Sequence, residues 1–190
     1  MSARIILVHG ILSSEGRSNV RQLVPALQKT GLAVSVFEYG FIHFFQARFR
    51  NPSLAKRLRA ISMPGDIIVA HSNGCAITHR AANEGAQFGG VVYINPALDP
   101  ERTTPAPWVD VYFNPGDHVT WFSKLLPWHT WGEMGSTGYK GPATNHINFN
   151  TGDFPLMPRC NGHLDLFNEG NVDAWSNFIA RRIEAHKERA

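Results

Sequence analysis

The chain has 190 residues, 43% of them hydrophobic and only 17% charged. That length fits one domain that needs no disulfide or metal staple, and the composition excludes a disordered, collagen-like or acidic chain. Eighteen basic against 15 acidic residues leave a net charge of +3, and with no long basic run this excludes a nucleic-acid binder.

Short apolar runs alternate with helix-like stretches along the chain. The first run is Ile5-Ile6-Leu7-Val8, ending in His9-Gly10. After a loop, Ser18 reads as the N-cap of a helix whose Val20, Leu23, Val24 and Leu27 form one apolar stripe. The second run is Val34-Ser35-Val36-Phe37, followed by Phe41, Phe44, Phe45 and Phe49. Asn51-Pro52 then reads as a boundary before a short helix, 53–61. The basic residues Arg48, Arg50, Lys56, Arg57 and Arg59 read first as a solvated helix face and second as a basic interaction surface.

The third run, Asp66 to Ala70, stops at His71-Ser72-Asn73-Gly74, with a helix following to about Glu84. The fourth is Gly90 to Ile94, closed by Asn95-Pro96. The fifth is Val109 to Phe113, closed by Asn114-Pro115-Gly116. The sixth and weakest is His146 to Phe149. From Asn171 onward, Val172, Trp175, Phe178, Ile179 and Ile183 keep helical spacing. Continuous apolar strands alternating with helices predict an α/β domain, 1–190, with a mostly parallel sheet covered on both faces. An irregular, aromatic-rich insertion falls around 114–145.

The third strand carries the sharpest chemical signal. Ala70-His71-Ser72-Asn73-Gly74 lies where a strand meets a helix. A small-x-Ser-x-small sequence there predicts a nucleophile elbow, whose tight turn lifts the serine hydroxyl clear of the sheet. Val8-His9-Gly10-Ile11, at the end of the first strand, is the matching candidate for an oxyanion loop. Acyl transfer needs donors for the developing oxyanion, here the backbone N–H groups of Asn73 and Ile11. A serine also needs a base, and the base an orienting carboxylate, in chain order Ser, Asp, His. Asp117 follows the fifth strand, and His163 precedes the last helix. All these groups fall at strand carboxyl ends or in the loops beyond them, where open parallel sheets gather their functional residues.

In these motifs the sequence resembles the α/β-hydrolase superfamily, and in plan the small bacterial lipases and esterases that lack a cap domain. Those proteins also carry a V-H-G-I loop and an A-H-S-x-G elbow. The resemblance implies a six-stranded sheet in order 2-1-3-4-5-6. It implies Ser72 as nucleophile, His163 as base, Asp117 as orienter, and the Ile11 and Asn73 amides as oxyanion hole. The implied reaction is hydrolysis of a carboxylic ester of a hydrophobic or aromatic small molecule through an acyl-enzyme, with no cofactor. A thioesterase, acyltransferase or amidase would use the same groups, and a silent, hydrolase-shaped binding protein would keep the shape alone.

The spacing from Asp117 to His163 is longer than usual for that superfamily, so His146 is a rival base. Its alternation, His146/Asn148/Asn150 against Ile147/Phe149, suits a strand better than a base-bearing loop. Asp99, after the fourth strand, is a rival acid, and Asp165 reads as a helix-entry residue. His9 reads as a turn histidine and His71 as a group packed behind the elbow. No HExxH or CxxC pattern supports a metal site.

Four of the five tryptophans fall between 108 and 131. Trp121, Leu125 and Trp128 share one helical face. They read as a core-facing insertion or as a wall over the acyl pocket, with lipid contact as a third use. The stripe of Phe41, Phe45 and Phe49 reads first as core and second as pocket wall. Cys75 and Cys160, the only cysteines, read as free thiols of a reducing compartment. With no signal-peptide pattern and no apolar run of spanning length, the expected address is cytoplasmic.

Overall fold

The structure is a computed structural model that describes residues 3–11, 18–123 and 131–189. Six strands form one sheet: β1 (Arg4–Val8), β2 (Ala33–Phe37), β3 (Ile67–His71), β4 (Gly90–Ile94), β5 (Val109–Phe113) and β6 (His146–Asn150). Their order is β2-β1-β3-β4-β5-β6. All five pairings are parallel, so every strand's carboxyl end opens on the same edge.

Period-2 alternation explains why the strands read as unbroken apolar runs. In β1, Ile6 and Val8 face one core, while Ile5 and Leu7 face the other. Strands buried on both faces have no polar side to show. The helices are α1 (Val24–Gln28), α2 (Phe44–Ile61), α3 (Asn73–Asn83), α4 (His118–Ser123), α5 (Met134–Thr137) and α6 (Val172–Lys187). The buried apolar side chains of α2 and α3 belong to the first core. Trp175, Ile179 and Ile183 of α6 belong to the second. Asp110, fully buried in β5, accepts bonds from Arg182 of α6 at 3.0 and 3.1 Å. A buried carboxylate needs such a partner.

Two helices differ from the sequence reading. The stripe after Ser18 forms a 3₁₀ turn, Asn19–Leu23, before α1. Pro25 has no N–H to donate back to Arg21, which weakens a continuous α-helical start. Ser18 makes no side-chain cap bond. The helix expected at 53 instead begins at Phe44, with a capping box between His43 and Gln46, and runs through Pro52. Its buried residues Ala47, Asn51, Leu54, Ala55 and Leu58 lie at i, i+4, i+7, i+8 and i+11. That stripe, packed against α3, offsets the one bond Pro52 removes.

The aromatic stripe is likewise not core. Phe41, Phe45 and Phe49 are 46%, 71% and 78% exposed. No described helix is long and apolar enough to cross a membrane, and Cys75 and Cys160 are buried free thiols.

Candidate active site

Ser72 sits between β3 and α3 with φ 55 and ψ −123. A side-chain-bearing residue adopts that backbone only under strain, at a cost of about 1–3 kcal/mol. The surroundings enforce it. The Ser72 amide donates to the Ile94 carbonyl at 3.0 Å, and the Ser72 carbonyl accepts from Cys75 at 3.0 Å and Ala97 at 3.3 Å. Gly74 lets α3 start against β1: a Cβ there would lie 2.4 Å from the Val8 carbonyl oxygen. Gly10 touches the serine itself, since a Cβ at that position would lie 3.0 Å from the Ser72 Cβ. The two loops named from sequence therefore meet.

His163 and Asp117 also meet. The His163 Nδ1–H donates to Asp117 Oδ2 at 2.7 Å, and the second carboxylate oxygen accepts the Thr120 amide at 3.1 Å. Asp117 is fully buried, so both oxygens are committed in a site shielded from water. The backbone of His163 is pinned as well. Its carbonyl accepts from Asn95 Nδ2 at 2.7 Å and from His71 Nε2 at 3.3 Å. The His71 and His163 rings lie 4.8 Å apart. Burial first, and the facing His163 second, hold the His71 pKa well below the ordinary imidazole value. Neutral His71 can keep its Nε2 proton for that carbonyl.

On the other flank, Asn73 is held through its side chain. Its Oδ1 accepts from Asn51 Nδ2 and from Trp131 Nε1, both at 2.7 Å. Its Nδ2 donates back to Asn51 Oδ1 at 3.0 Å. Tyr39 donates its hydroxyl proton to the His9 and Gly10 carbonyls, and the His9 ring stacks on Tyr39 at 3.8 Å. A cleft of about 20 Å³ lies over the serine, lined by Ile11, Ser72, Asn73, Ala97, Val119, Thr120 and Trp131.

The rival residues are engaged elsewhere. His146 accepts the Thr104 amide at Nε2 and donates from Nδ1 to Asn145 Oδ1, and burial lowers its pKa to about 4. Asp99 accepts the Glu101 amide in an exposed turn. Asp165 opens a short 3₁₀ turn, Asp165–Phe167, and accepts the Asn161 amide at 2.8 Å.

Among the expected pocket residues, Phe41 packs edge-on against His43 at 4.9 Å and is absent from the described lining of the cleft. Trp121 lies in α4, but its side chain, like all of Leu125 and Trp128, lies outside the described residues. Asn51, Asn95 and Thr120 were not singled out by sequence. Asn95 had a usable signal, an asparagine closing a strand before proline. Asn51 had a misleading one, its proline neighbour.

No protein-family model matches the sequence, and no curated protein does. Solved structures do match in shape. Alpha/beta hydrolase domain-containing protein 10 from mouse aligns at TM-score 0.64 and 12% identity, over 97% of this chain and 91% of that one. A monoacylglycerol lipase from Paleococcus ferrophilus aligns at TM-score 0.58 and 14% identity, over 96% and 94%. The esterase domain of a Rhodothermus marinus protein aligns at TM-score 0.56 and 16% identity, over 98% and 87%. The chain has the α/β-hydrolase fold.

Proposed function

We propose that this protein is a serine hydrolase that cleaves a carboxylic ester of a hydrophobic or aromatic small molecule. The observation that carries the reading is the 2.7 Å bond from His163 Nδ1 to the buried Asp117 carboxylate, on the same sheet edge as a strained Ser72. With Nδ1–H committed to Asp117, the free Nε2 of His163 is the base. It takes the Ser72 proton as Oγ attacks the acyl carbon, and Asp117 stabilises the imidazolium that forms. The tetrahedral oxyanion accepts from the Asn73 and Ile11 amides. Collapse expels the alcohol, which takes the proton from Nε2, and leaves Ser72 acylated. Water, deprotonated by the same nitrogen, then releases the acid and restores the serine. The apolar side chains of Ile11, Ala97, Val119 and Trp131 around the cleft favour a hydrophobic group beside the ester.

The test is covalent. A fluorophosphonate probe labels wild type, with the adduct mapped by peptide mass spectrometry to Ser72, and Ser72→Ala takes up none. Turnover of p-nitrophenyl esters falls by about 10⁴ or more in Ser72→Ala. Unlabelled wild type, or undiminished labelling of Ser72→Ala, would remove the reading. A parallel panel of matched ester, thioester and amide then ranks the acyl bonds.

A further inference from the structure

The three exposed phenylalanines, outside both described core clusters, lie at the catalytic end of the sheet. Phe41 is in the loop beyond β2, and Phe45 and Phe49 are in the first turns of α2. They are 46%, 71% and 78% exposed. Val119, which lines the cleft over Ser72, is 54% exposed at the same end, and so is Leu164 at 47%, next to His163. Exposed aromatic side chains grouped this way mark a contact surface.

The charge on α2 says what kind. Between Phe44 and Ile61 the helix carries Arg48, Arg50, Lys56, Arg57 and Arg59, and no aspartate or glutamate. All five basic residues are exposed. Arg48 lies over the Phe49 ring at 6.0 Å. The positive surface continues into a cavity of about 490 Å³ between α2 and α3, lined by Arg48, Arg80 and Arg102 with no carboxylate. Of those three, Arg80 is paired with Glu84 at 2.8 Å.

Aromatic rings flanked by cations, on a helix with an opposite buried face, match an anionic lipid surface. A second copy of the chain fits poorly. A closed two-fold contact would set α2 against α2, with five cations facing five and no carboxylate on the helix to relieve them. We propose that the amino-terminal half of α2 docks this protein on anionic phospholipid, with Phe41, Phe45 and Phe49 in the interface and Arg48 and Arg50 on the headgroups. Docking there presents the catalytic end of the sheet to the bilayer.

The experiment uses the full chain carrying Ser72→Ala, so lipid is not consumed and the result is independent of the hydrolase reading. Sedimentation is measured with vesicles of phosphatidylcholine alone and of phosphatidylcholine mixed with phosphatidylglycerol. The expected result is partition onto the mixed vesicles that weakens as salt rises. Phe45→Ser/Phe49→Ser lowers that partition ~10-fold or more. Arg48→Gln/Arg50→Gln lowers it ~10-fold or more through charge alone. Both pairs are exposed, so melting temperatures should match the parent, which separates lost docking from lost fold. No partition onto mixed vesicles, or equal partition of the phenylalanine variant, would overturn the proposal. So would self-association abolished by that variant in the absence of vesicle binding, which makes the face a protein interface.

Discussion

The two flanks of Ser72 are built by different means. On the side of β4 and β5, the key contact is ionic in character: a buried carboxylate holds an imidazole, and donors from Asn95 and His71 fix the carbonyl of the same residue. On the side of β1 and α2, the contacts that hold Asn73 are neutral. An amide pair and an indole lock Asn73. Protonation chemistry needs a group whose charge changes and a fixed countercharge beside it. An oxyanion hole needs only immobile backbone dipoles, which neutral hydrogen bonds hold in place. The difference predicts that damage on the first flank removes proton transfer, and damage on the second removes position.

Asp117→Asn tests the first flank most severely. The carboxylate accepts from both His163 and Thr120. An asparagine has one acceptor and one amino group, so one of those N–H donors must face an NH₂. Either the loop shifts or His163 adopts the tautomer with its proton on Nε2, which cannot act as base. Turnover should fall about 10⁴-fold with little change in KM, measured as steady-state kinetics on a soluble ester. A loss under tenfold would mean that His163 is not the base.

Asn51→Ala tests the second flank. It strips Asn73 Nδ2 of its partner and leaves Oδ1 to Trp131. An unsatisfied buried amide costs about 1–3 kcal/mol of stability. A shifted Asn73 amide costs up to ~10² in kcat. The mark of a positioning role is that the pH–rate profile of Asn51→Ala keeps the wild-type shape while its plateau drops. A changed profile would show that Asn51 acts through the base after all.

Asn95→Ala should do less. The His163 carbonyl keeps its bond from His71, and the Asp117 pair is untouched, so kcat falls about 10-fold. Asn95→Asp makes the sharper control, because it replaces the donor with an acceptor facing that carbonyl. If Asn95→Asp is no worse than Asn95→Ala, the 2.7 Å bond does not position the base.

The sequence made the framework legible for a physical reason. Strands buried on both faces, such as Ile5 to Val8 and Gly90 to Ile94, cannot hide among polar residues. The elbow was legible because its steric demands fall within five consecutive positions. What escaped depends on distance along the chain. Asn51 and Asn73 are far apart in sequence, and neither shows in isolation that the other completes its hydrogen bonds. The phenylalanine stripe escaped differently. Spacing reports that Phe41, Phe45 and Phe49 share a face, but only packing decides which face of α2 is buried. Ala47, Leu54, Ala55 and Leu58 are smaller or less conspicuous, yet they fit against α3 and the rings do not.

The smallest expected effect concerns what the flanks share. Each contains a buried histidine that donates to a backbone carbonyl: His71 to His163, and His9, through Nδ1, to Gly10 at 2.8 Å. Burial is the main cause that lowers both pKa values. For His9 the Gly10 carbonyl and Glu38 oppose the shift, and Arg21 adds to it. A lowered native pKa means that the unfolded chain binds more protons below the ordinary imidazole value of ~6.5. The stabilisation is therefore complete above that pH and lost as pH falls toward the native values. Melting temperature should drop as pH falls below about 6.5, and His9→Gln should shrink that drop. His79 and His146, both lowered to about 4, and His186, lowered mainly by burial, add to the acid sensitivity. A drop unchanged in His9→Gln but reduced in His79→Gln would move the pH-sensitive element from the loop after β1 to α3. The two flanks of Ser72 would then differ in titration as well as in bonding.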